Sequence, residues 1–151
     1  MNILFVCSGN VSRSYLAEML LRHEVQMADL SNISVSSAGL FVYPGSRPDS
    51  HMVEYLQNRG IEPGDHKARQ MSKEDIAWAD LILVMEKEQK EMIEARWPES
   101  EGKVDLLGRY SSRGPITDDI ADPFGMSLYH YRLSQARIVF AIESLVKGVL
   151  S

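Results

Sequence analysis

The chain alternates short, unbroken apolar runs with longer amphipathic stretches, which restricts it to βαβ units laid over a parallel sheet. Ile3-Leu4-Phe5-Val6 is apolar throughout, as a strand covered on both faces must be. Leu81-Ile82-Leu83-Val84-Met85 repeats that pattern, and shorter strands are expected over residues 33–37 and 104–107. Helices fill the intervals. Residues 14–27 carry Leu16, Leu20, His23 and Met27 on one face. Pro48 and Asp49 open a helix that runs to Arg59, with Gly60 just past its end. Ser72 is the expected N-cap of another helix. Residues 86–96 form a charge-dense helix whose charges read as a solvated face. In the last helix Leu128, Tyr131, Ile138, Ile142, Leu145 and Val149 share a face broken only by Gln135. Trp78 and Trp97 read as core residues. Between Leu107 and Leu128 lies a polar loop of about twenty residues, a length usually tied to function or mobility.

A length of 151 residues suits a single domain spanning 1–151. Hydrophobic residues at 44% and charged residues at 25% are ordinary for a globular chain, so disorder is excluded. Sixteen Lys and Arg against twenty-one Asp and Glu leave a net charge of −5, which argues against nucleic-acid binding. No apolar run reaches the ~18 residues of a membrane span, and the first run is too short for a signal peptide. A cytoplasmic protein is expected. Cys7 is the sole cysteine, so no internal disulfide can form. His23, His51, His66 and His130 are scattered, and neither a metal nor a cofactor is called for.

In an open α/β sheet ligands bind beyond the C-terminal ends of the strands, and Cys7 follows the first strand directly. It opens the run Cys7-Ser8-Gly9-Asn10-Val11-Ser12-Arg13-Ser14, at whose far end a helix begins. Gly9 and Asn10 tolerate the positive φ that turns successive amides inward. Those amides and the helix N-terminus form an anion cradle, and Arg13 brings a planar guanidinium able to grip two phosphate oxygens. The same positive surroundings favour the thiolate of Cys7. Ten of the 151 residues are Arg, so the Cys-to-Arg spacing alone arises by chance about once in fifteen. The strand, loop and helix around it give the spacing its meaning: a nucleophile and an oxyanion cradle on one loop, suited to attack at phosphorus. The expected architecture is therefore α/β, a four-stranded parallel twisted sheet with helices on both faces and a phosphate-binding loop after the first strand. Such chemistry also needs a proton donor for the leaving group. The long loop offers Asp118, Asp119 and Asp122, of which Asp122 is stiffened by Pro123.

Together, Cys7 to Ser14 after an N-terminal strand and Asp122-Pro123-Phe124-Gly125 near the C-terminus resemble the low-molecular-weight protein tyrosine phosphatases. The resemblance covers nearly the whole chain through Ser37-Ala38-Gly39, Gly45, Asp49, Gly60-Ile61, His66-Lys67-Ala68-Arg69-Gln70 and the strand ending in Met85. It implies Cys7 as the nucleophile that becomes phosphocysteine, Arg13 as the phosphate-binding arginine, and Asp122 as the acid that later activates water. It implies that Ser8, Gly9, Asn10, Val11, Ser12 and Ser14 contact the phosphate or shape its loop, with Ser37 and His66 supporting the loop from behind. Ser14 also falls where the family donates to the cysteine sulfur. Phe124 matches one aromatic wall for the substrate ring, and Phe41 and Tyr43 are both candidates for the other. Ser37-Ala38-Gly39 and Asp122-Pro123-Phe124-Gly125 resemble bacterial members. There the expected partner is a phosphotyrosine protein, such as a tyrosine kinase of exopolysaccharide export, met by a monomer or weak dimer.

Three positions depart from the family pattern. Ser12 stands where many relatives have a second cysteine, so oxidised Cys7 has no thiol partner for a sheltering disulfide. Tyr15 replaces a common Pro and is expected at the mouth of the site. Glu86 replaces a common Asp after Met85. Arsenate reductases share the fold but need further cysteines for their thiol relay. Protein arginine phosphatases have Thr where this chain has Val11, whose aliphatic side chain resembles the tyrosine-specific branch. A non-catalytic phosphoprotein-binding module would need neither Cys7 nor Asp122.

Overall fold

The computed structural model describes residues 1–111 and 118–150, with the side chain of Val149 outside the described set. Residues 112–117, in the middle of the long polar loop, also lie outside it, as does residue 151. Four strands, β1 (Asn2–Cys7), β2 (Ser34–Gly39), β3 (Leu81–Val84) and β4 (Val104–Leu106), form an all-parallel sheet in the order β2-β1-β3-β4. The helices are α1 (Arg13–Met27), α2 (Ser50–Asn58), α3 (Lys73–Trp78), α4 (Lys87–Arg96) and α5 (Leu128–Leu145).

The alternation of side chains along β1 divides the core. Ile3, Phe5 and Cys7 point to the layer of α1, α2 and α5, while Leu4 and Val6 point to Ile76 of α3 and Ile93 of α4. With helices on both faces, every residue from Ile3 to Cys7 is buried, which is why the run could be apolar without a break. In the parallel register Cys7 pairs with Gly39, and Val6 with both Ala38 and Val84. The C-terminal ends of three strands therefore meet at one edge, with β1 central and its neighbours reached in opposite directions, the usual site of a binding crevice.

Most helix starts follow the local chemistry. The Asp49 carboxylate accepts the amide of His51 at 2.9 Å and caps α2, and Gly60 lies just beyond its end at φ 72°. Ser72 precedes α3, where the Asp75 carboxylate accepts the Ser72 amide at 2.8 Å. Strand β2 runs two residues past its expected end, because Gly39 pairs with Cys7 on one side and bridges Gln70 on the other. Strands β3 and β4 each stop one residue short, and Leu107–Tyr110 forms a 3-10 turn.

Some expected core residues are outside. Met27 is exposed because α1 is buried through its first turns, from Arg13 to Leu21, and then runs past the sheet. Leu128 starts α5 and faces solvent, so the buried face begins at Tyr131 and runs through Gln135, Ile138, Ile142 and Leu145. Trp97 is buried as expected, but Trp78, at the end of the short α3, is on the surface. No helix among the described residues is long and apolar enough to cross a membrane.

Candidate active site

Cys7 ends β1, and the chain turns through Ser8–Ser12 into α1. Asn10 makes the turn in the left-handed region, at φ 57°. Gly9 does not share that conformation, contrary to expectation: one left-handed residue reverses the chain, and a Cβ at Gly9 would meet only Val11 Cγ2, at 3.8 Å. Gly39 is the glycine this loop requires. A Cβ there would lie 2.8 Å from the Ser8 carbonyl oxygen and 3.0 Å from the Asn10 amide nitrogen.

The loop's carbonyls are held from outside. That of Cys7 accepts the Leu40 amide at 3.1 Å, that of Ser8 the Phe41 amide at 2.8 Å, and that of Val11 the Asp49 amide at 2.8 Å. The Asn10 carbonyl meets His66 Nε2 at 2.7 Å, and because a carbonyl only accepts, this nitrogen carries a hydrogen. Among the described residues none of the Ser8–Ser12 amides has an acceptor, and the Ser12 side chain makes no cap on α1. The loop thus turns donors, not acceptors, toward its concave side.

Asn10 is fully buried and organises the nucleophile. Its Oδ1 accepts the Arg69 amide at 3.1 Å, and its Nδ2 donates to Ser14 Oγ and Ser37 Oγ, both at 2.9 Å. Ser37 passes its own hydrogen to Glu18 Oε1, whose other oxygen takes Arg22 Nε at 2.8 Å. Ser14 has then accepted from Asn10, so its hydroxyl hydrogen is free for Cys7 Sγ, 3.0 Å away. The chain of donors thus delivers one O–H to the sulfur.

Arg13 is 1% exposed. Its Nη1 donates to the Ile120 carbonyl at 2.8 Å and is paired with Glu86, while Nε has no partner among the described residues. A buried donor without an acceptor is costly, and the Nε–Nη2 edge is the edge that meets an oxyanion in a two-pronged grip. Asp122 Oδ2 is 3.7 Å from Nη2, and its Oδ1 accepts the Phe124 amide at 3.1 Å. The segment carrying it is pinned just past the end of β3: Ile120 is buried, and its amide donates to the Met85 carbonyl at 2.8 Å. Asp119 takes the Lys87 amide instead.

Arg13 thus meets Asp122 beside the loop that carries Cys7, and Phe41, which follows the Leu40 amide bonded to that loop, Tyr43 and Phe124 are all exposed. Asn10, Ser12 and Ser14 are buried, while Ser8, Gly9 and Val11 are half-buried. Sequence reasoning did not find several partners. Glu86, read as part of a solvated face, holds Arg13; its position right after β3, at the binding edge, was the available signal. Gln89 Oε1 accepts the Met85 and Glu86 amides at 3.0 Å, and its Nε2 reaches Ser8 Oγ at 3.3 Å. Tyr15 is not at the mouth but fully buried. Its ring lies 4.7 Å from that of His66, and its hydroxyl donates to the Pro63 carbonyl at 3.3 Å. Burial, with the Glu18 carboxylate nearby, pushes its phenol up to about 12.

A family model described as low molecular weight phosphotyrosine protein phosphatase matches residues 2–150. A "Protein-arginine-phosphatase" from Geobacillus stearothermophilus is 38% identical, over 96% of this chain and 93% of its own. A "Probable low molecular weight protein-tyrosine-phosphatase EpsP" from Ralstonia nicotianae is 37% identical, over 97% of this chain and 90% of its own. Among solved structures, the arginine phosphatase YwlE from Geobacillus stearothermophilus superimposes with a TM-score of 0.86 at 36% identity, covering 98% of this chain and 92% of its own.

Proposed function

Since the chain belongs to the low molecular weight phosphotyrosine protein phosphatase family, we propose that it hydrolyses phosphotyrosine in proteins through a phosphocysteine intermediate, as a single domain over residues 1–151. The Cys7 thiolate attacks phosphorus; the S–P bond forms as the bond to the tyrosine oxygen breaks. Asp122, as the carboxylic acid, gives its proton to that oxygen. Water then attacks phosphorus and hands a proton to the Asp122 carboxylate. The S–P bond breaks, the thiolate returns with the Ser14 hydroxyl donating to it, and inorganic phosphate leaves. Arg13 and the Ser8–Ser12 amides hold the equatorial oxygens through both steps. Phe124 and either Phe41 or Tyr43 flank the substrate ring, while Ser37 and His66 keep Asn10 in shape.

The observation that carries this reading is the buried Arg13 guanidinium, with Nε unpartnered among the described residues, on the same short loop as a hydrogen-bonded Cys7 and 3.7 Å from a carboxylate. The aliphatic Val11 supports phosphotyrosine over phosphoarginine. A bacterial tyrosine kinase of exopolysaccharide export is the proposed partner, the cytoplasm the proposed location, and a monomer or weak dimer the proposed state. The 38% identity to an arginine phosphatase favours phosphoarginine as the second reading.

Phosphate release from matched phosphotyrosine, phosphoserine and phosphoarginine peptides, with chelator present, tests both. Phosphotyrosine preference supports the proposal, phosphoarginine preference assigns the second reading, and tight binding without turnover assigns a binding module. A Cys7→Ser protein should bind phosphate and turn nothing over; retained turnover removes Cys7 from its role.

A further inference from the structure

Beyond the mouth of the site, the start of α5 does not look like an ordinary surface helix. The face turned away from the core should be polar. Instead Tyr129 and Leu133, one turn apart, are 68% and 49% exposed. Met126 and Leu128, just before and within the first turn, are 53% and 54% exposed. The strip begins two residues after Phe124, the wall proposed for the substrate ring. Contiguous exposed apolar surface of this kind marks an interaction site.

Its charge is as one-sided as its polarity. The chain carries a net charge of −5, yet residues 123–142 contain Arg132 and Arg137 and not one Asp or Glu. Arg137 is turned inward, where it donates to the Asp119 carbonyl. Arg132 is exposed between Leu128, Tyr129 and Leu133. Glu54 of α2 lines the groove beside Leu128 and Arg132, but the strip itself supplies only apolar and cationic side chains, which complement a partner that is apolar and anionic.

We propose that Met126, Leu128, Tyr129 and Leu133, with Arg132 among them, dock the segment on one side of the phosphorylated tyrosine, and that this segment is apolar and carries an acidic residue for Arg132. The inference rests on the phosphotyrosine reading above. A second copy of the chain is the poorer occupant, since a two-fold contact would set the two strips, each with Arg132 exposed and no carboxylate of its own, against each other.

The test uses the full chain and four substrates: para-nitrophenyl phosphate, a phosphotyrosine peptide flanked by Gly and Ser, and two peptides with Leu, Phe and Asp on the N-terminal or C-terminal side. The wild type should show at least a tenfold higher kcat/KM on one of the apolar-acidic peptides than on the Gly-Ser peptide. Leu133→Asp and Tyr129→Ser should remove that advantage and leave para-nitrophenyl phosphate hydrolysis unchanged. Arg132→Glu should lose the advantage and regain it when Lys replaces Asp in the peptide. Equal kcat/KM on all peptides overturns the proposal, as does an equal loss on para-nitrophenyl phosphate and peptides. So does a wild-type dimer that Leu133→Asp dissociates while peptide preference stays the same. Turnover of para-nitrophenyl phosphate with no phosphotyrosine peptide hydrolysed removes the underlying reading instead.

Discussion

Glu86, just ahead of α4, is paired with Nη1 of Arg13, at the head of α1, behind the loop that carries Cys7. The second hydrogen of Nη1 goes to the Ile120 carbonyl, so this end of the guanidinium is immobilised on two elements that both sit beside β3. The opposite edge is left for the phosphoryl group.

Glu86→Ala should therefore weaken the grip on phosphate rather than remove the nucleophile. Loss of positioning of this kind costs about 10²-fold in rate, so kcat/KM on para-nitrophenyl phosphate should fall on that order and the inhibition constant of inorganic phosphate should rise in parallel. Glu86→Gln, which keeps an acceptor and loses the charge, should lie between. Unchanged phosphate inhibition in both variants would show that Arg13 does not depend on Glu86.

Gly39→Ala adds a methyl group between the end of β2 and the loop, 2.8 Å from the Ser8 carbonyl oxygen and 3.0 Å from the Asn10 nitrogen. Backbone atoms cannot swing aside as a side chain can. Overpacking of this type costs about 1–3 kcal/mol, so thermal denaturation should show a lower Tm, and activity should drop about tenfold or more as the amides move off their oxyanion. Gly9→Ala, with nothing closer than 3.8 Å, is the control and should leave Tm unchanged.

Asp122→Ala should separate substrates by leaving group. General acid catalysis contributes ~10²–10⁴-fold, and that share matters most where the departing oxygen is a poor leaving group. An alkyl-like phosphate ester should lose most of its turnover and para-nitrophenyl phosphate much less. Equal losses on both would remove Asp122 as the acid.

Alkaline stability should report on Tyr15. Its phenol is raised to about 12 in the folded protein, against about 10 for a free tyrosine. Below that lower value folded and unfolded chains both hold the proton, and the stability associated with it is fully present. As pH climbs from 10 toward 12 the unfolded chain ionises first, so stability is lost through that window. Tyr131, pushed up by burial and by its bond to Asp49, adds in the same direction. Tyr15→Phe should flatten part of the decline in urea-denaturation midpoints between about pH 10 and 12; an unchanged slope would mean that Tyr15 titrates normally.

The strands and the Cys7 loop could be read from the chain because their signals are local. Ile3–Val6 is apolar without a break only because both faces are covered, and Cys7, Asn10 and Arg13 lie within one turn of backbone. Glu86 could not be read the same way: its place right after β3 puts it at the binding edge, but composition does not distinguish a carboxylate in water there from one facing a buried arginine 73 residues earlier. Periodicity likewise shows which residues share a face but not how far the underlying sheet extends, so Met27 and Leu128 followed the pattern and still ended in solvent. Tyr15 looked like a mouth residue from its neighbours in the chain, whereas its actual neighbours, His66 and Pro63, arrive from a segment about fifty residues away.

The outward anchoring of the loop carbonyls has a consequence for turnover. Leu40, Phe41, Asp49 and His66 fix the loop's shape as the protein folds, so the arriving phosphoryl group has no loop to order. A receptor built in advance cannot tell an ester from the free ion by its oxygens alone. Inorganic phosphate, the product of the proposed reaction, is then expected to compete for the same cradle, and the substrate must displace it through contacts lying outside that cradle.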